Sequence, residues 1–175
     1  ATGRVTIAGA RIVGFEDCRL FRWRDGWWAS ATVRDEDASE HAAMRLLQLD
    51  DTGAIRHRWQ LHGYGTQEHE KNWMPCVRGD ELLFVYGCDP VTVLRVASFD
   101  GEVAQVDVMC RQPPALALEH LRGGSQLIAF DDGWLAVTHE VIYLGSTRQY
   151  LHRFVEFAAD FQVRRLSMPF FLRRE

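Results

Sequence analysis

The sequence predicts an all-β protein, and the prediction rests on repeated hairpins and on weak helix signals. Three Asp-containing turns, at Asp25, Asp80 and Asp132, are 55 and 52 residues apart, and each lies between two short apolar runs. Short β-rich runs separated by such turns are typical of hairpins. Residues 38–49 contain Ala, Met and Leu, which favour helix, but their end occupies the third-strand position of a repeat. We therefore assign a strand there, after a loop.

Each repeat is predicted to contain four antiparallel strands joined by tight turns. The repeats span residues 15–62, 70–110 and 123–170. In the first repeat the strands fall at residues 19–23, 27–33, 44–49 and 55–61. In the second they fall at residues 74–77, 82–86, 93–99 and 103–109. In the third they fall at residues 126–130, 134–139, 150–157 and 163–169.

Four-stranded units at this period predict the blades of a β-propeller. Propellers typically have about 4 to 8 blades, so three units predict an incomplete ring. We expect residues 1–175 to form one partial propeller domain, part of a five-bladed ring. Residues 5–8 and 11–13 are strand-like and are expected to add an outer strand to a further blade. The rest would come from a longer polypeptide or from another copy, and the alternative is a complete three-sheet β structure.

Composition argues against several classes of function. The chain has 175 residues and a net charge of −4, which gives no electrostatic support to a nucleic-acid partner. No apolar run has the length of a membrane span. The four cysteines form no C-x-x-C pair, which favours free thiols in a reducing cytoplasm. The histidines show no metal-ligand spacing, so we expect no metal site.

Lys71 is the only lysine in the chain, and its neighbour Asn72 is the only asparagine. Arginine serves as every other basic side chain except histidine. A compact ammonium and a short amide differ chemically from guanidinium and carboxylate groups, so their adjacency indicates a functional position. The alternative is chance, with Asn72 forming a turn.

Polar residues at the inner strands of a propeller converge on a central funnel, which supplies the candidate site. Carboxylates there can hydrogen-bond to sugar hydroxyls or act as acid and base in glycosidic bond cleavage. The predicted catalytic residues are Asp17 and Glu16. The predicted substrate-binding residues are Arg19, Arg34, Glu70, Lys71, Asn72, Trp73, His139 and Glu140. Structural alternatives remain: an Asp17–Arg19 ion pair, a buried or rim histidine at His139, and tryptophans that pack in the core.

Three segments resemble a known group of proteins. Residues 14–20, Gly-Phe-Glu-Asp-Cys-Arg-Leu, resemble the Gly-x-Glu-Asp-Pro-Arg motif of the five-bladed β-propeller mannoside phosphorylases and related β-mannosidases. Asp-Gly-Trp-Leu at residues 132–135, followed by Thr138 and His139, resembles another strand of that family. The segment around Lys71 is similar to its lysine segment, which contacts phosphate and substrate. The Lys-Asn-Trp-Met-Pro pattern also resembles propeller segments attached to bacterial glycosyltransferase-type polypeptides.

The resemblance implies a carbohydrate-active enzyme with an oligosaccharide or glycan as its partner. Asp17 would be the general acid of an inverting reaction, with Arg19 positioning it. Lys71, Arg34 and His139 would hold phosphate or sugar hydroxyls. No cofactor is implied, and inorganic phosphate is a co-substrate if the reaction is phosphorolysis.

The chain departs from the family pattern in ways that keep other functions open. Cys18 replaces the motif proline, Glu140 replaces a glycine, and residues 84–90 lack the family's phosphate-binding histidine. These differences favour hydrolysis or sugar binding over phosphorolysis. The alternatives are a non-catalytic glycan-binding module attached to a glycosyltransferase-type polypeptide, and a propeller that binds proteins.

Overall fold

The computed structural model describes residues 13–36, 41–65, 69–114 and 116–172. The regular elements in these ranges are all β-strands, which make up 65% of the structure, so the predicted all-β class is confirmed. The first eight strands are β1 (Glu16–Trp23), β2 (Gly26–Val33), β3 (Ala43–Leu49), β4 (Ile55–His62), β5 (Met74–Arg78), β6 (Glu81–Cys88), β7 (Val91–Asp100) and β8 (Val103–Gln112). The remaining strands are β9 (Arg122–Gly123), β10 (Ile128–Phe130), β11 (Gly133–Leu144), β12 (Thr147–Phe157) and β13 (Val163–Leu166).

Twelve of these strands form three antiparallel meanders, in which consecutive strands pair as neighbours. The first meander contains β1 to β4, the second contains β5 to β8, and the third contains β10 to β13. Each strand predicted within the three repeats overlaps one of them, and residues 43–49 form a strand rather than a helix.

The first two meanders join into one eight-stranded sheet, which the sequence did not predict. Strands β4 and β8 pair in parallel, with Gln60 opposite Val103 and His62 opposite Gln105. The other two edge strands, β1 and β5, lie beside each other, so the sheet is nearly closed. This closeness brings the N-terminal end of β1 near the segment that precedes β5.

Strand β6 is buried on both faces and lies between two apolar cores. Leu82 and Phe84 pack with the first meander, against Trp23, Leu46 and other apolar side chains. Leu83 and Val85 point the other way and pack with the third meander. Since successive side chains of a strand point to opposite faces, a strand buried on both sides has a continuous apolar sequence. The second meander is therefore the central layer of the molecule.

The third meander has an interrupted edge strand and a long hairpin. Strands β9 and β10 both pair with β11, and between them the main-chain N–H groups of Gly124 and Ser125 donate to the Val137 carbonyl. The hairpin of β11 and β12 extends to its turn at residues 145–146, beyond the predicted strand end at residue 139.

Two further observations bear on the sequence predictions. The predicted strand at residues 5–8, and all but the last residue of that at 11–13, lie outside the described residues. Within the described ranges, no helix has the length and apolar character needed to cross a membrane.

Candidate functional site

A cavity of about 730 Å³ lies between the first meander, the segment before β5 and the third meander's sheet with its strand β9. This volume is within the range of small-molecule binding pockets. Seven of the ten predicted site residues line it: Glu16, Asp17, Arg19, Arg34, Lys71, Asn72 and His139. The described lining also includes Thr32, Arg122, Gly123, Gly124, Ser125, Val137, Arg148, Tyr150, His152 and Leu172.

Asp17 lies at an irregular point near the start of β1. The pairing of β1 with β2 shifts register between Glu16 and Arg19, and Asp17 has a left-handed backbone with φ of 50°. A bulge of this kind redirects side chains and is common beside active sites. The carboxyl group is exposed at the cavity.

The guanidinium group of Arg19 holds the first and third meanders together. It donates to the carbonyl oxygens of Gly124 (3.2 Å), Gly123 (3.3 Å) and Asp17 (3.3 Å). The residue is only 6% exposed, and burial lowers the pKa of the guanidinium, an effect that the Asp17 carboxylate opposes. Arg19 thus ties the main chain of Asp17 to that of Gly123 and Gly124.

Arg34 and Glu16 form an ion pair at the cavity wall. The Nε atom of Arg34 lies 3.3 Å from Oε2 of Glu16. The geometry is not that of a hydrogen bond, and Nε is buried without an acceptor among the described residues. Glu16 is therefore the counter-charge of Arg34, while the Nε–H group of Arg34 makes no hydrogen bond among the described residues.

Lys71 and Asn72 meet the cavity on a short segment before β5. Asn72 has a left-handed φ of 64°, a conformation in which asparagine is enriched. Burial lowers the pKa of Lys71, as do the nearby charges of Arg34, Arg122 and Arg148, while Asp17 opposes the shift. The two scarce residues thus have different structural roles: Asn72 turns the chain, and Lys71 places an ammonium group among arginines.

Glu70 and Trp73 lie behind the cavity rather than on its surface. Trp73, which was predicted to bind substrate, is 1% exposed and packs edge-on against Phe84 and Tyr86. Its indole N–H donates to the Glu70 carboxylate at 3.1 Å. Burial, followed by the Glu70 carboxylate, raises the pKa of Tyr86 to about 12. These residues anchor the segment that carries Lys71 and Asn72.

The opposite wall comes from one face of the third meander. Arg122 of β9 lies opposite His139 of β11, which in turn lies opposite His152 of β12. Arg148 and Tyr150 precede His152 in β12 and lie on the same face, because alternate residues of a strand share a face. The Arg148 guanidinium lies over the Tyr150 ring, 4.9 Å from its centroid.

The two histidines of this wall differ in what surrounds them. Burial, with the nearby charges of His152, Arg122 and Arg19, lowers the pKa of His139 to about 4, so its imidazole is neutral near pH 7. Asp17 opposes this shift. Nδ1 of His152 is buried without a hydrogen-bond partner among the described residues.

Glu140 lies away from the cavity. It follows His139 in β11 and therefore points to the opposite face of the strand. Its carboxylate pairs with Arg153 at 3.1 Å and with His120 at 3.4 Å. This arrangement stabilises the far side of the third meander.

Sequence reasoning did not identify Arg122, Arg148, Tyr150 and His152 as site residues. Two signals were available. The alternation of Arg148, Tyr150 and His152 marks one polar face of a strand, and the Gly123–Gly124 pair before a strand marks a close approach of main chains. A methyl group at Gly123 would overlap the Asn72 carbonyl oxygen, so this glycine allows the two walls to meet.

The cavity has the chemistry of an anion-binding site with one exposed acid. The described lining carries five cationic side chains, from Arg19, Arg34, Lys71, Arg122 and Arg148, and two carboxylates, from Glu16 and Asp17. In a protein with a net charge of −4, this concentrates positive charge in one place. Among the described residues, His, Cys, Asp and Glu form no cluster suited to a metal ion.

A scan of the sequence against protein-family models gives no match, and a search of curated proteins finds no similar sequence.

Proposed function

We propose that this protein cleaves glycosidic bonds by phosphorolysis, with Asp17 as the general acid. The observation that carries the proposal is the cavity in which an exposed carboxyl group faces an excess of cationic side chains. Cationic clamps stabilise phosphate oxygens, and a positioned carboxylic acid protonates a glycosidic oxygen.

The arrangement of carboxyl groups favours phosphate over water as the nucleophile. An inverting hydrolase places a second carboxylate about 6.5 to 9.5 Å from the acid, to activate a water molecule. The only other carboxylate in the described lining, Glu16, is the chain neighbour of Asp17 and pairs with Arg34. An external phosphate dianion needs no such base.

The reaction follows from these groups. A phosphate oxygen attacks the anomeric carbon, the bond from that carbon to the glycosidic oxygen breaks, and the anomeric configuration inverts. The Asp17 carboxyl group gives its proton to the departing oxygen, which becomes a sugar hydroxyl. The proton released from the phosphate restores the Asp17 acid, and the products are a glycosyl phosphate and a shortened saccharide.

Lys71 and Arg34 are the residues proposed to hold the phosphate. Both line the cavity on the side of Asp17, and the Nε atom of Arg34 retains an unused hydrogen. Neutral His139 supplies a donor or an acceptor for a sugar hydroxyl. Arg19 keeps the main chain of Asp17 in place.

We further propose that the three meanders are blades of a β-propeller whose ring is completed by more of a longer polypeptide or by another copy. The support is the match between the meanders and the four-stranded units that the repeat predicts.

The test uses the reverse reaction, because glycosyl phosphates are available as defined probes. The protein is mixed with a panel of hexose 1-phosphates, including mannose 1-phosphate, and acceptor sugars, and the release of inorganic phosphate is measured. We expect release by the wild type and a reduction of about 100-fold or more in Asp17→Asn, the usual contribution of general acid catalysis. Asp25→Asn is the matched control, since Asp25 is also left-handed but lies in the β1–β2 turn outside the described cavity lining.

An unchanged rate in Asp17→Asn would remove Asp17 from the mechanism. Sugar binding with no phosphate release from any probe would instead support the glycan-binding module, and would overturn the phosphorolysis proposal.

A further inference from the structure

The cavity has two cationic walls that belong to different sheets. One wall carries Lys71 and Arg34 beside Asp17, and the other carries Arg122 and Arg148 on the third meander. The proposed phosphate occupies the first wall. The second wall then needs its own explanation, because cationic side chains in one cavity repel one another.

A bound phosphate does not neutralise all of the positive charge in the cavity. Within the described residues, Arg34 pairs with Glu16, and the Arg19 guanidinium donates to main-chain carbonyls. Lys71, Arg122 and Arg148 have no carboxylate within ion-pair distance in that part of the chain. A phosphate group carries about 1.5 to 2 negative charges near neutral pH. The five cationic side chains and two carboxylates of the described lining therefore leave one positive charge in excess when a phosphate dianion is bound.

The second wall is built to contact a sugar as well as an anion. Arg148 folds back over the Tyr150 ring, which is 37% exposed. Tyr150 is also close to His139, with ring centroids 5.6 Å apart. An aromatic face next to a guanidinium offers a surface for a sugar ring and a bidentate donor for a carboxylate or phosphate attached to it.

We infer that Arg122 and Arg148, with Tyr150 beside Arg148 on the same second wall, bind an anionic substituent of the substrate sugar. The substrate is thus an acidic glycoside, bearing a carboxylate or a phosphate, rather than a neutral one. This inference rests on the proposed function for the assignment of the first wall to phosphate.

Binding measurements test this without requiring turnover. Isothermal titration calorimetry compares mannose, mannuronic acid and mannose 6-phosphate, which share a ring and differ in the substituent at C6. Each titration is run with and without saturating inorganic phosphate. We expect the wild type to bind at least one anionic sugar about tenfold or more tightly than mannose, with phosphate present, a difference of about 1.4 kcal/mol.

Two variants assign the effect to the second wall. Arg148→Gln and Arg122→Gln are both expected to lose the preference for the anionic sugar while still binding inorganic phosphate. Arg56→Gln is the control, because Arg56 is an exposed arginine outside the cavity that pairs with Asp50. Thermal unfolding checks that each variant is folded, and agreement between the two cavity variants guards against a defect in either.

Three results would overturn the inference: equal affinities for mannose and the anionic sugars, displacement of the anionic sugar by inorganic phosphate, or a preference that survives in both cavity variants. Comparison of mannuronic acid with mannose 6-phosphate shows whether a carboxylate or a phosphate is preferred. Failure of the proposed function has a different signature: no phosphate-dependent turnover, with Arg148-dependent binding of an acidic sugar intact.

Discussion

Two residues that line the cavity, Asp17 and Asn72, hold a left-handed backbone without being glycine. This conformation costs about 1 to 2 kcal/mol for an ordinary residue and less for Asn or Asp. Strain of this kind is often found where a binding site fixes the chain. Here it directs the Asp17 carboxyl group and the Asn72 carbonyl toward the contact between the sheets.

Asn72 can be tested through its backbone alone. We expect Asn72→Ala to lower the free energy of unfolding by about 1 kcal/mol, because alanine tolerates positive φ poorly. Asn72→Gly should recover most of that loss, since glycine adopts this conformation freely. Urea unfolding measures both variants, and an alanine variant as stable as the glycine variant would contradict the backbone role.

His139 makes stability depend on pH in a defined direction. Its pKa is lowered from 6.5 to about 4 by burial and by His152, Arg122 and Arg19, with Asp17 opposing. As pH falls through 6.5 the unfolded chain takes up a proton and the folded chain does not, so stability present above that pH is lost on the way to 4.

We therefore expect the wild type to lose about 1 to 2 kcal/mol more than His139→Gln between pH 7 and pH 4, a figure reduced for solvent screening of this half-buried ring. Urea unfolding across that range measures the difference. Identical pH profiles for the two proteins would show that His139 titrates normally.

At the scale of elements, the contact between Gly123 of β9 and the segment before β5 joins two sheets. A methyl group at Gly123 would overlap the Asn72 carbonyl oxygen and lie 2.6 Å from Cγ of Met74. We expect Gly123→Ala to destabilise the fold by about 2 to 4 kcal/mol, since neither the main chain nor the core can move away cheaply.

Gly87→Ala is the matched control for this prediction. The nearest atom to a methyl group at Gly87 is the Pro90 carbonyl oxygen at 3.8 Å, an ordinary contact. Urea unfolding of both variants gives the comparison. Equal stabilities would mean that β9 can shift without disturbing the wall that carries Lys71.

The strands were predictable from the sequence because their cause is local. The run of four apolar residues in β6, Leu82 to Val85, reads as a strand buried on both faces, and its two faces do meet two cores. The position of Trp73 was not predictable from its neighbours. The left-handed Asn72 turns the chain, so Lys71 faces the cavity while Trp73 enters the core.

The composition of the cavity was predictable only in part, because only some of its residues carry a local signal in the sequence. Scarcity identified Lys71 and Asn72, and a short motif identified Asp17 and Arg19. Arg122 and Arg148 join them because the third meander packs against β1 and the segment before β5, a contact between residues far apart in the sequence that no local pattern specifies. Contacts between residues that are far apart in the sequence depend on tertiary packing, which the periodicity of each strand does not reveal.

At the scale of the whole molecule, three meanders pack as layers, and the central one supplies both cores. The outer two meet across its edge, where Arg19 reaches from β1 to the carbonyls of Gly123 and Gly124. The cavity thus lies at the contact between the eight-stranded sheet and the third meander's sheet. Its positive charge comes from the first meander, the segment before β5 and the third meander's sheet, in a protein that is acidic as a whole.

The most direct test of phosphorolysis is ³¹P nuclear magnetic resonance of the protein incubated with inorganic phosphate and a mixture of neutral and acidic oligosaccharides. We expect the phosphate signal to decline while a glycosyl phosphate signal grows. In the control, the protein is incubated with sulfate in place of phosphate, and phosphate is added only after the protein has been removed. No glycosyl phosphate signal is expected in that control. Shortened saccharides that form at the same rate without phosphate, and no glycosyl phosphate signal, would contradict the account and identify water as the nucleophile.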